Sequence, residues 1–269
     1  MFDAASETLL DLSKNKTYLG ATPGITAVLH TWGQQLDYHV HLHCVVSGGG
    51  ISNDQWVTEK RANGKFLFPL AAIRKKYKAI FLRLARERKQ DIAASDQQID
   101  EAITESGYKQ WKVYAKAPFG GPDQVIKYLG RYTHKTAITS HRIEAVANGT
   151  VRFSYKDYTD GNKTKSMVLD EKEFMRRFEM HILPKRFVRI RHYGFLTNRG
   201  KHARLNALRK TMGLAQVAVQ IAIPIAVRML EKFGKDITQC TQCHTGRYEL
   251  LFTKRFGKIT YRKPQKVPV

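Results

Sequence analysis

The segment Tyr38-His39-Val40-His41-Leu42-His43-Cys44 alternates apolar and imidazole side chains, and no other pattern in the chain restricts its folding as strongly. Successive side chains of a strand point to opposite faces. Tyr38, Val40, Leu42, Cys44 and Val46 therefore form one apolar face, and His39, His41 and His43 line the other. The apolar face predicts a strand anchored in a core. The three imidazoles, about 7 Å apart along one sheet face, can converge on a metal ion. A single histidine is more often a surface or core residue with a satisfied hydrogen bond. Three of them alternating with core residues, just ahead of Gly48-Gly49-Gly50, form a metal-site pattern. Neutral imidazole suits zinc, manganese and other transition metals, and the triplet alone does not choose among them.

Charge narrows the partner. The 269 residues hold 46 Lys+Arg against 23 Asp+Glu, a formal charge of +23. Between Arg176 and Lys210 there are eleven basic residues and one acid, Glu179. Such an excess predicts a polyanionic partner, above all nucleic acid, because neutralised phosphates release counterions. Arg186, Arg189 and Arg191 in this stretch are the candidates for backbone phosphate contacts, which fix position without reading sequence. The N-terminus lacks the basic flank and apolar run of a secretory signal. Three cysteines cannot build a disulfide framework, which fits a reducing cytoplasm.

The rest of the chain predicts mixed elements. Residues 24–32 are β-branched and lead into the histidine strand. A helix is expected over 71–89, a more polar one over 91–110, and a strand over Trp111–Ala117, where apolar and polar residues alternate. Phe119-Gly120-Gly121-Pro122 breaks that strand, with a helix starting at Asp123 as N-cap. A meander with turns at Asn148-Gly149 and Asp160-Gly161 fills 143–169, and a helix follows over 171–180. The apolar stretch 214–227 is too short to span a bilayer and reads as a buried helix. Strands and helices mix without βαβ alternation, so the expected class is α+β, an antiparallel sheet flanked by helices.

The helix after Asp123 carries Tyr128 and Tyr132, four residues apart and so on one face, with Lys127 and Arg131 as an adjacent cationic pair suited to phosphate. Gly130 costs about 1 kcal/mol inside a helix, which suggests close approach of its backbone to a ligand or to the sheet. Tyrosine is a nucleophile that forms covalent intermediates. Its ordinary pKa near 10 calls for a base, a metal or nearby cations. A divalent ion would polarise a scissile phosphate as a Lewis acid. Two tyrosines permit two covalent linkages, and so strand transfer beyond simple cutting.

His41-Leu42-His43 resembles the His-hydrophobic-His motif of the HUH endonucleases, and Tyr128-Leu129-Gly130-Arg131-Tyr132 is similar to the two-tyrosine motif of rolling-circle insertion-sequence transposases within that superfamily. Val28-Leu29-His30-Thr31-Trp32-Gly33-Gln34, Pro118-Phe119-Gly120-Gly121-Pro122 and Val188-Arg189-Ile190-Arg191-His192-Tyr193-Gly194 look like further family blocks, so the likeness covers roughly residues 20–250. The resemblance implies a small antiparallel sheet with the HUH strand central and the tyrosine helix close by. It implies nicking of single-stranded DNA at an element's ends, a 5′-phosphotyrosine link, and rolling-circle-like transposition into target DNA with Mg²⁺ or Mn²⁺. It assigns His41 and His43 as metal ligands, with Gln34 preferred over His39 as the third, and Tyr128 and Tyr132 as nucleophiles.

On this reading residues 1–170 form the catalytic domain and 171–269 a basic, partly helical DNA-binding region of a bacterial, nucleoid-associated protein. Family members commonly carry a Cys-rich zinc domain ahead of the catalytic region, which these residues do not include. A DNA-binding remnant without turnover is therefore the chief alternative, and a plasmid replication initiator or relaxase is another. Cys240-Thr241-Gln242-Cys243-His244 is half of a structural Zn²⁺ site and lacks two ligands unless His244 supplies one. Two reduced thiols in a loop is the simpler expectation.

Overall fold

The computed structural model describes residues 1–59, 66–133, 137–218, 223–248, 251–255 and 258–261, with the side chains of 131–133, 253–255 and 258–261 left undescribed. The β-branched run expected near residue 24 forms β1 (Thr22–Trp32), and the histidine segment forms β2 (Tyr38–Ser52). They pair antiparallel, with Ile25 opposite Val46, Ala27 opposite Cys44 and Leu29 opposite Leu42. Residues directly opposite share a sheet face, so this register assembles one apolar surface. α1 (Phe2–Lys14) and the start of α2 (Leu70–Glu87) cover it, placing Phe2, Leu9, Leu12 and Ile73 against Ile25, Ala27, Leu29 and Cys44.

β3 (Gln55–Thr58) extends the sheet on the far side of β2. It is joined by Asn53 and Asp54, both at positive φ as a two-residue hairpin turn requires. On the other edge β7 (Ile190–Gly194) pairs with β1, giving the order β3-β2-β1-β7. α3 (Asp96–Tyr108) starts on a capping box between Ser95 and Gln98 and packs Ile99 and Ile103 against Leu82.

The expected meander is present as β4 (Ile143–Ala147), β5 (Thr150–Asp157) and β6 (Lys163–Asp170), followed by α5 (Glu171–Glu179) with Asp170 as N-cap. Its core of Val151, Phe153 and Phe174 also takes in Leu36 from the β1–β2 loop. Leu36 is fully buried at a φ of 59°, so the loop is held in a left-handed bend by the meander it inserts into. That contact ties the hairpin carrying the histidines to the second sheet.

Three expectations need correction. Trp111–Ala117 is not a strand: alternate residues are half-buried, but the segment pairs with no strand among the described residues. Trp111 is instead held by Tyr77 and Phe81, with ring centroids 5.6 and 5.1 Å away. The apolar stretch 214–227 is not one buried helix. Residues 214–218 are irregular and exposed, 219–222 lie outside the described residues, and α7 (Ile225–Phe233) begins only after Pro224. Tyr38 leaves the apolar face and is 62% exposed, because the register between β1 and β2 shifts beyond His30. The compact units run 1–216 and 217–269, with β7 and α6 (Lys201–Thr211) in the same unit as the first sheet.

The second unit holds α7, an isolated bridge between Gln239 and Arg247, and the hairpin of β8 (Phe252–Arg255) with β9 (Lys258–Tyr261). No described helix is long and apolar enough to cross a membrane.

Candidate active site

The face of the first sheet opposite α1 carries the polar register. His30 lies directly opposite His41, and Val28 lies opposite His43. One potential ligand atom from each of His30, His41 and His43 falls within 4.8 Å of the others. Among the described residues this is the one trio of His, Cys, Asp or Glu so placed. His30 is 4% exposed, and its ring stacks on Trp32 with centroids 4.5 Å apart. The stack fixes the ring plane before any ligand arrives.

Two of the trio are residues the sequence points to; the third is not. Gln34 is drawn away from the rings: its Nε2 donates to the Tyr158 hydroxyl at 3.2 Å, and its Oε1 accepts from the Lys156 N–H at 3.3 Å. The His39 ring is 5.0 Å from that of His41, but it is exposed and does not join the trio. The signal for His30 was present in the sequence. An antiparallel hairpin joining 24–32 to the histidine strand brings one β1 residue across from the triplet, but which residue depends on the loop's length and bulge.

Tautomers follow from the contacts. His41 Nδ1 is 2.8 Å from the His39 carbonyl, which only accepts, so Nδ1 carries the hydrogen and Nε2 is an acceptor. The Nε2 atoms of His41 and His43 are 3.1 Å apart, so His43 donates there. His43 Nδ1 is then left as the acceptor for the Tyr128 hydroxyl at 3.2 Å. The result is a directed chain from Tyr128 through His43 to His41. Both rings are neutral in it, consistent with their titration: desolvation lowers His41, and desolvation followed by the charges of His30 and His41 takes His43 down to about 3.

Tyr128 is delivered by α4 (Pro122–Thr133). Pro122 opens the helix, so Asp123 stands in the first turn and not at the N-cap; its charge there complements the positive helix end. Phe119, from the loop before the helix, packs on the Tyr128 ring at 5.1 Å. Gly130 meets nothing within 4 Å where a Cβ would stand, so no described protein atom requires glycine there. Tyr132 lies one turn after Tyr128 on the same helix, but its side chain, like that of Arg131, is outside the described residues. Lys127 is exposed.

The three arginines separate. The Arg189 guanidinium lies 6.0 Å from the Trp32 ring, beside His30's stacking partner. Arg191 pairs with Ala27 and stacks over Phe2 at 4.4 Å, which puts it on the helix-covered face, away from the histidines. Arg186 holds a positive φ of 71° in the segment before β7. Two histidines not singled out by the sequence have defined partners. His192 Nδ1 meets Thr26 Oγ1 at 3.0 Å on the trio's face of the sheet, and buried His181 bridges Thr31 Oγ1 and the Leu36 carbonyl, each at 3.2 Å.

An antiparallel hairpin holding three imidazoles against a helical tyrosine is the frame on which the comparisons fall. Residues 24–204, two-thirds of the chain and running from β1 into α6, match the family described as "Putative transposase". The chain belongs to that transposase family. It is 38% identical over 262 residues to the putative transposase y4qJ of Sinorhizobium fredii (strain NBRC 101917 / NGR234), covering 92% of this chain and 65% of that protein. It is 27% identical over 211 residues to the transposase for insertion sequence element IS801 of Pseudomonas savastanoi pv. phaseolicola, covering 74% of this chain and 48% of that protein. The chain thus spans less than two-thirds of either relative's length. No solved structure matches it.

Proposed function

We propose that this chain carries the nicking site of a rolling-circle DNA transposase, in which Tyr128 attacks single-stranded DNA at an element's end beside a metal held by His30, His41 and His43. The observation that carries the reading is the 3.2 Å contact between Tyr128 and His43, which joins the nucleophile to the imidazole trio.

In the reaction Tyr128 Oη bonds to phosphorus while the bond from phosphorus to the 3′ oxygen breaks. The DNA 5′ end is left on the protein, and the 3′ end leaves as a hydroxyl after taking a proton from solvent. With an ion on the trio, the Nε2 proton of His43 would be given up to solvent and Nδ1 would take the phenol proton, so the ring stays neutral while a phenolate forms next to its new Nδ1–H donor. A divalent ion on the trio would act as a Lewis acid on the scissile phosphate, and an all-nitrogen donor set suits Mn²⁺ better than the oxygen-seeking Mg²⁺. His30 fills the third place in this reading, ahead of Gln34 and His39. Tyr132 is the second nucleophile, which would capture the second strand end. Lys127, Arg131, Arg186 and Arg189 are assigned to backbone phosphates, within a chain whose +23 charge favours a polyanion.

Denaturing electrophoresis of the protein with labelled single-stranded DNA from an element's end tests this. A covalent adduct that needs Mn²⁺, vanishes with EDTA and is lost when both Tyr128→Phe and Tyr132→Phe are present supports the proposal. Intact, salt-sensitive DNA binding with no adduct would mark a DNA-binding remnant and overturn it.

A further inference from the structure

The second unit presents a thiol pair that the nicking reaction does not use. Cys240 and Cys243 lie on a loop closed on itself, with the Cys240 N–H donating to the Gly246 carbonyl at 2.8 Å and the His244 N–H to the Cys240 carbonyl at 3.1 Å. The bridge between Gln239 and Arg247 clamps its base. Gly246 stands where a side chain could not be added freely: a Cβ would come within 3.2 Å of Cys243 Sγ and 3.7 Å of Cys240 Cβ. Its N–H donates to Cys243 Sγ at 3.2 Å. Donation from the backbone N–H groups of Gly246 and Thr245 draws Cys243 down to about 6, and those of Cys243 and Gln242 lower Cys240. Cys243 is therefore supported as a thiolate, the form that binds a soft metal, with the Cys240 thiol beside it.

Two thiolates are half of a tetrahedral site. Among the described residues no third His, Cys, Asp or Glu comes within ligand range of the pair. The chain's remaining cysteine, Cys44, faces the apolar side of the first sheet, where burial pushes its thiol up to about 12. A second copy of this chain offers the missing pair in the required form, because a two-fold axis presents the same loop again. Cys243 is exposed and available for such a contact.

We propose that Cys240 and Cys243 form a zinc half-site, completed by the same two cysteines of a second copy to give a four-thiolate ion shared across a dimer. Binding releases to solvent whatever thiol protons remain. The net double negative charge of the complex forms within strongly basic chains, which offsets it.

Co²⁺, added to the reduced full chain, is the probe, because thiolate ligation gives a sulfur-to-metal charge-transfer band that histidine sites do not. The expected result is a band saturating at one Co²⁺ per two chains, with mass doubling in light scattering. Cys243→Ser and, separately, Gly246→Val should abolish both while leaving the far-ultraviolet circular dichroism intact. A missing band, a band saturating at one ion per monomeric chain, or a band that survives Cys243→Ser would each overturn the proposal. None of these outcomes depends on DNA nicking.

Discussion

The hydroxyl of Tyr128 and Nδ1 of His43 stand 3.2 Å apart, so a side chain from α4 and one from β2 share a proton. The donor direction in this pair is set four residues away, by the His39 carbonyl that fixes the tautomer of His41. His43→Ala should therefore slow adduct formation by about 10²–10⁴-fold, the usual contribution of a positioned acid–base group, even at saturating Mn²⁺. Single-turnover rates on single-stranded DNA would show it, and an unchanged rate would remove His43 from the proton path.

Metal affinity separates the candidates for third ligand. His30→Ala is expected to weaken Mn²⁺ binding beyond the roughly 10–100-fold typical of outer-shell changes, because it removes a member of the trio. Gln34→Ala and His39→Ala should change it less than that, since the Gln34 amide is engaged with Tyr158 and Lys156 and His39 does not join the trio. Calorimetric titration of the three variants decides, and a large loss in Gln34→Ala alone would restore the ligand set expected from the family resemblance.

Acid should destabilise the metal-free protein through the same rings. Burial depresses His43 from 6.5 to about 3 and moves His41 in the same direction. An unfolded chain keeps the ordinary value, so it binds these protons first as pH falls. The stabilising contribution is complete above about pH 6.5 and is lost progressively towards pH 3. Thermal melts over that window should show a falling midpoint, with a shallower fall in His43→Gln. Parallel curves would mean that other groups dominate.

His181 supports the site from behind. Its ring nitrogens meet Thr31 Oγ1 and the Leu36 carbonyl, and its ring packs edge-on to Trp32 at 6.1 Å. Trp32 in turn carries the His30 ring. Replacing His181 by Ala leaves buried polar groups unmatched, at about 1–3 kcal/mol each, and loosens the loop that sets strand register. We expect a lower unfolding midpoint in urea together with weaker Mn²⁺ binding. Lower stability with full metal affinity would show that the stack on Trp32 suffices without it.

Much of this molecule is local in origin and could be read from the chain. Alternation over 38–46 dictates a strand whose odd-numbered histidines share a face, because the two-residue period belongs to the backbone itself. The same holds for the Asn148-Gly149 turn, whose residues both adopt positive φ, and for the helices over 70–87 and 171–179, which arise from apolar spacing and, in the second, an Asp N-cap. Where alternation lacked a partner it misled: Trp111–Ala117 keeps the rhythm of a strand without a ladder to join.

The third imidazole is a different kind of fact. His30 faces His41 only because the β1–β2 loop takes a left-handed bend at Leu36, buried in the core of a meander that begins more than a hundred residues later. Cross-strand register is set by such distant packing, and a one-residue slip would turn His30 to the other face. The sequence by itself determined the paired histidines of β2 and the tyrosine helix. Tertiary structure alone decided that His30, and not Gln34 or His39, stands with His41 and His43, and that Tyr128 meets His43, since both are contacts between segments whose spacing in the chain carries no distance information.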